Sequence, residues 1–167
     1  MDITLSDHTL QAAASESMDA FAVTVVEAIA AAAGGELNAE AMQRLSAEQI
    51  TLWAYFIMRD ELMDGGFVQL IHNGYGPFFF LNPFAKAMRL WGLKDLSKLI
   101  YDARALYERH GAAIEQPCSD EEFMALFEQY PEFDDLDDQF VEEEENYTAR
   151  IACYLDEHLA DFVTVTA

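Results

Sequence analysis

The sequence predicts an all-α protein, a single compact helical domain of about six to nine helices. Three observations carry that prediction. Apolar residues recur at helical spacing in several windows. Helix-start signals stand immediately ahead of those windows. No run sustains the period-two alternation of a half-buried strand. The chain has 167 residues, 52% hydrophobic and 13% aromatic, which is enough apolar material for a core and excludes a disordered acidic chain. That length suits one domain over 1–167.

The elements follow in order. Residues 1–43 form an acidic, helical N-terminal part. Within it Ser17–Ala33 reads as an alanine-rich helix, with Gly34-Gly35 as its C-terminal stop. Asn38 caps a short helix through Leu45. Ser46 with Gln49 makes a capping box before "AEQITLWAYFIMRDELM". There Ile50, Trp53, Ile57 and Leu62, with Ala54 and Met58, fit the 3.6-residue period. Gly65-Gly66 is expected to end this helix. A glycine cluster, "HNGYG", and an aromatic connector, "PFFFLNP", follow. Asn82-Pro83 reads as a helix start, the asparagine as cap and the proline as first helical residue. Leu93–His110 carries the stripe Leu96, Leu99, Ile100, Ala103 and Leu106, with Gly111 as its stop. His110 then suits the negative end of that helix. Ser119 and Glu122 begin another capping box, leading into Phe123, Leu126 and Phe127. The terminal "FVTVT" reads as a short strand or a packed tail.

Pro131–Leu159 is the last long helix. On a wheel of about 100° per residue, Phe133, Leu136, Tyr147, Ile151 and Tyr154 fall within about 40° of Phe140, a coherent buried stripe. Asp134, Asp135, Asp138, Glu142 and Glu145 fall on the outer face. Asp137, Glu143 and Glu144 flank the stripe. The plain reading is an amphipathic helix with a solvated acidic face. Against it, Asp134/Asp138 and Asp138/Glu142 are like-charged i,i+4 pairs, each destabilising by about 0.2–0.5 kcal/mol, and no base relieves them.

The net charge is −22, from 31 acids and 9 bases, and it is polarised. Residues 110–149 hold 14 acids and no Lys or Arg, and residues 1–43 hold seven acids and no base. Six of the nine bases lie between 86 and 109. Such a balance excludes direct binding to nucleic acid or anionic membranes and favours a basic protein partner. The N-terminus lacks a basic signal-peptide region, and the longest apolar run, 13 residues containing Glu27, is too short and too charged to span a bilayer. Cys118 and Cys153 read as free thiols of a cytoplasmic protein.

One ridge, Asp134–Asp138–Glu142–Glu145, spaces carboxylates about 5–6 Å apart along the axis. A DNA strand presents a phosphate about every 3.4 Å, so one ridge has about half that linear density. A second ridge, from Glu121, Glu122, Glu128 and Glu132 or from a dimer mate, would complete a surface resembling a phosphate backbone.

The stretch "DELMDGGFVQLIHNGYGPFFF" is the other unusual segment. Its glycines permit backbone angles closed to other residues. The amides of Gln69 and Asn73, at i,i+4 on a short helix after Phe67, are placed to bond loop backbone around Gly74 and Gly76. The segment reads as a locked structural turn or as the lining of a small-molecule pocket. It is not a phosphate loop, since no Gly-Lys-Ser/Thr follows and a helix precedes it. Glu61, Gly65-Gly66-Phe67, Gln69 and Asn73 together resemble the motif of a bacterial family of small acidic DNA-mimic proteins. The likeness covers roughly residues 45–160, and the strong negative charge matches. That family commonly has Asn before the two glycines, where this chain has Asp64. The resemblance implies an all-helical fold and a homodimer. It also implies occupation of the DNA-binding surface of a helix-turn-helix transcription factor, so that the factor cannot bind DNA. The contact residues come from the wheel.

Catalytic and metal motifs are absent. The four histidines form no H-E-x-x-H or Glu-x-x-His pair, no G-x-S-x-G elbow occurs, and "DDLDDQFVEEEE" lacks the spacing of a calcium loop. The reading is a non-enzymatic inhibitor without metal or cofactor. The alternative is a soluble enzyme or small-ligand-binding protein with a pocket near Glu61, Gln69 and Asn73.

Overall fold

The computed structural model describes residues 1–167 and is all-α, apart from a two-stranded sheet. Strand β1 is Thr4–Ser6 and β2 is Thr164–Thr166. Between them run α1 (Asp7–Glu16), α2 (Met18–Ala32), α3 (Ala39–Arg44), α4 (Ala47–His72), α5 (Phe84–Leu90), α6 (Lys94–Ile114), α7 (Asp120–Gln129) and α8 (Asp134–Glu157). No helix is long and apolar enough to cross a membrane.

The chain divides into two compact units. The first comprises Met1–Ile57 and Glu145–Ala167. Its capping signals act as the sequence implies. Ser17 Oγ accepts the Ala20 amide, Asn38 Oδ1 accepts that of Ala41, and Ser46 and Gln49 exchange reciprocal bonds of 3.2 and 3.0 Å. Gly34 and Gly35 close α2 with φ of 96° and 85°. Phe21, Val25 and Ile29 of α2, Leu52 and Tyr55 of α4, and Tyr147, Ile151 and Leu155 of α8 are buried. The Tyr55 hydroxyl reaches Thr148 Oγ1 at 2.8 Å. Buried Gln49 also donates to the carbonyls of Met1 and Phe162, both at 2.8 Å. It thereby ties the chain's two ends beside the parallel pair, in which Thr4 faces Thr164 and Ser6 faces Thr166. The C-terminal strand was one of two readings; its N-terminal partner lies 160 residues away and left no local sign.

The second unit is Met58–Glu144. Gly65-Gly66 ends the first half of α4, as the sequence implies: Gly66 leaves helical geometry (φ 73°, ψ −169°), and a second helical half runs on through His72. The sequence reading needs four corrections here. First, the Gln69 and Asn73 amides are bonded to Glu61 and not to loop backbone. Secondly, Asn82-Pro83 is not a cap and first turn. Pro77–Leu81 winds as a π-helical turn that buries Phe79 and Phe80, and Asn82 terminates it. Pro83 precedes α5 with no side-chain cap, while the Asn82 carbonyl accepts the Phe84 amide at 2.8 Å. Aromatic burial overrides the local capping signal.

Thirdly, Gly111 lies inside α6, which continues to Ile114. Its role is space: a Cβ there would sit 2.5 Å from the Tyr107 ring, as would one at Gly76. Tyr107 stacks on Phe80 with centroids 4.9 Å apart and donates its hydroxyl to Glu115 at 2.6 Å. Burial and that carboxylate push the phenol up to about 12. Fourthly, His110 is not at a helix end. Its Nε2 stands 2.6 Å from Glu132 Oε2, an ion pair when the imidazole is protonated.

Candidate interaction surface

The surface is built on α7 and α8. Ser119 caps α7 by accepting the Glu122 amide at 3.2 Å, and its hydroxyl donates to the Glu122 carboxylate. Asp120, Glu121 and Glu122 occupy the first turn, where the amide dipoles favour negative charge. A short 3-10 turn, Pro131–Phe133, then leads into α8, whose first turn repeats the pattern with Asp134, Asp135 and Asp137.

Burial on α8 follows the wheel. Phe133, Phe140, Tyr147 and Ile151 are fully buried, with Leu136 and Tyr154 half-buried. Asp134, Asp135, Asp138, Glu142 and Glu145 are exposed, as are Glu121, Glu122, Glu128 and Glu132. All nine acids picked from the sequence therefore face solvent. Exposed apolar side chains are few among them: Met124 on α7 and Val141 on α8. The flanking acids behave differently. Glu143 and Glu144 are half-buried, and Glu144 lies 3.6 Å from the Arg59 guanidinium.

Asp137 is the residue that sequence reasoning misplaced as one more flanking charge. Its Oδ1 accepts the Phe67 amide at 2.8 Å, and its carboxylate fills the space a Cβ on Gly66 would take. It thus caps the second half of α4 from 70 residues away and joins the glycine motif to the acidic helix. Burial pushes its carboxyl up to about 7, opposed by the Phe67 amide and helped by Asp134 and Asp138. The available signal was a helix restarting after Gly66 with no capping side chain of its own, and an acid at the rim of a buried stripe.

The rest of the motif is also accounted for. The Gln69 and Asn73 amides do not bond loop backbone around Gly74 and Gly76. Both donate to Glu61 Oε2, at 3.1 and 2.9 Å, and Gln69 donates to Asp64 at 2.9 Å as well. These carboxylates engage both donors of the Gln69 amide and one of the two on Asn73. The basic stretch 86–109 includes local i,i+4 pairs, Lys98–Asp102 at 2.7 Å and Arg104–Glu108 at 3.2 Å.

A family model described as "DMP19-like protein" matches residues 43–158. This chain belongs to the DMP19-like family. It is 35% identical over 127 residues to "DNA mimic protein DMP19" of Neisseria meningitidis serogroup B, covering 75% of this chain and 77% of that one. The matched span holds the kinked α4, the aromatic turn and both acidic helices, and it excludes α1, α2 and both strands.

Proposed function

We propose that this protein is a DNA mimic that binds the DNA-binding surface of a basic protein, a helix-turn-helix transcription factor, and prevents it from binding DNA. One observation carries the reading. Between residues 110 and 149, 14 acids stand without a Lys or Arg, and the nine chosen from the sequence are all exposed on folded helices. A face selected for solubility alone would mix signs. Membership of a family whose curated relative is named a DNA mimic supports the same conclusion. Asp134, Asp135, Asp138, Glu142 and Glu145 form one edge, and Glu121, Glu122, Glu128 and Glu132 supply the other. Lys and Arg of the partner then replace the counterions, as they do on DNA. The protein acts as a cytoplasmic homodimer and by occupancy, without catalysis.

The test is capture from bacterial lysate on the immobilised protein at low salt, followed by a salt gradient. Helix-turn-helix factors should elute, and duplex DNA carrying their operators should displace them. Recovery of no DNA-binding protein, or of factors that duplex DNA fails to displace, would sink the reading.

A further inference from the structure

The chain's basic cluster borders a cleft of about 280 Å³ formed by the aromatic turn, the start of α5 and the middle of α6. Phe79, Phe80 and Ile100 line it and are almost completely buried. Lys86, Tyr101 and Arg104 line it as well, and all three are exposed. Its ten lining residues include two cations and no carboxylate, in a chain where acids outnumber bases 31 to 9. Arg104 gives its Nε to Glu108 at 3.2 Å, leaving the terminal guanidinium nitrogens for a further acceptor.

We propose that this cleft binds a small monocarboxylate with an aromatic or branched aliphatic body. The body packs between the exposed Leu81, Pro83 and Tyr101 over the floor formed by Phe79, Phe80 and Ile100, and the carboxylate is met by Lys86 and Arg104. A concave site with apolar lining and a few polar groups is the usual build of a small-ligand site, and this half-open cleft lies just below the usual range of about 300–1,000 Å³, which suits a small ligand. Charge selects the class. Guanidinium and ammonium groups favour a carboxylate over a neutral head group. The surroundings limit its size: Asp95, Asp102 and Glu108 stand exposed along α6, so a longer acidic chain meets like charge once it leaves the cleft. The site is independent of the acidic face and of any reading of that face.

Hydrocinnamate is a suitable probe, titrated into the full-length protein with amide shifts followed by NMR. Saturable shifts are expected at Phe79–Lys86 and Ile100–Arg104. Hydrocinnamamide, the same body without the charge, should bind about tenfold more weakly or worse. Lys86→Gln should weaken the carboxylate by a similar factor and leave the amide unchanged. Acetate should not saturate. Equal binding of acid and amide would overturn the proposal, as would shifts centred elsewhere or no saturable binding. A Glu-Phe-Glu peptide binding more tightly than hydrocinnamate would also overturn it, assigning the cleft to acidic peptides. The comparison of acid with amide uses the unaltered protein, so it holds even if a variant misfolds.

Discussion

Asp137 carries the most specific energetic consequence at the scale of single residues. Its carboxyl titrates near 7 in the folded chain against 3.8 for an unperturbed aspartate. Between those values the native state binds more protons than the unfolded state, so stability falls as pH rises through that window. This group's contribution is at its most favourable below 3.8 and is lost by about pH 7 and above, on the order of a few kcal/mol. Asp137→Asn keeps an oxygen for the Phe67 amide and removes the ionisation. It should flatten the fall in stability between pH 5 and pH 8, measured by urea unfolding at both values, and should equal or exceed the parent at the higher pH. Asp137→Ala leaves that amide without its acceptor and should cost about 1–3 kcal/mol at pH 5, and less at pH 8, where the parent has lost its own protonation benefit. A parent and an Asn variant with parallel pH profiles would refute the assignment. The neighbouring glycines divide by cause. Gly66 adopts angles essentially confined to glycine, and a Cβ there strikes the Asp137 carboxylate. Gly66→Ala should therefore lose about 1–3 kcal/mol from backbone strain, before the clash is counted. Gly65 is not left-handed, and a Cβ there would meet Gln69, from its amide to its Cβ at 2.8 Å, so the cost is a clash without backbone strain. Gly65→Ala should cost less and act by displacing the Gln69 amide from Glu61. Chemical denaturation of the two variants side by side checks the order.

At the scale of elements, α8 shows what a sequence can and cannot disclose. Its buried stripe and exposed ridge were legible because helical periodicity is a local property, and the capping boxes at Ser46 and Ser119 were legible for the same reason. The features that escaped are contacts between distant positions. Asp137 looks like any acid in a run of acids until the fold brings Gly66 beneath it. Gly111 looks like a stop until Tyr107 is seen to need its space. Asn82-Pro83 marks the start of α5, but Asn82 ends the preceding aromatic turn and makes no side-chain cap. The charge of α8 gives a prediction of its own. Asp138 takes part in both like-charged i,i+4 pairs on the outer ridge, so Asp138→Asn should stabilise the helix by about 0.4–1 kcal/mol. It lies outside the first-turn acids Asp134, Asp135 and Asp137, so little dipole benefit is lost. The proposed function requires the same change, combined with Glu142→Gln and Glu145→Gln, to weaken partner binding. Calorimetric melting and a binding titration on one set of variants check both. Gained stability with unchanged binding would remove α8 from the contact surface.

For the molecule as a whole, charge at this density makes salt act in opposite directions on folding and on binding. The folded chain holds −22 charges, with 14 acids concentrated between residues 110 and 149. Bringing them together on folding costs self-repulsion, and ions screen that repulsion. The Debye length falls from about 30 Å at 0.01 M to about 8 Å at 0.15 M salt, comparable to the spacing between successive turns of one ridge. The melting temperature should therefore climb with sodium chloride over that range, most steeply at the low end. On the proposed function, partner binding uses the same carboxylates and should weaken over the same range, since each ionic contact is screened. A hydrophobic interface would show no such opposition: its affinity would hold or strengthen as salt rises. Melting curves and partner titrations across one salt series decide between the two, and a binding constant indifferent to salt would exclude the acidic face as the source of affinity. On the proposed function, the carboxylates that lower the stability of the free protein are the groups that a cationic partner neutralises, so association should recover part of what the isolated fold gives up.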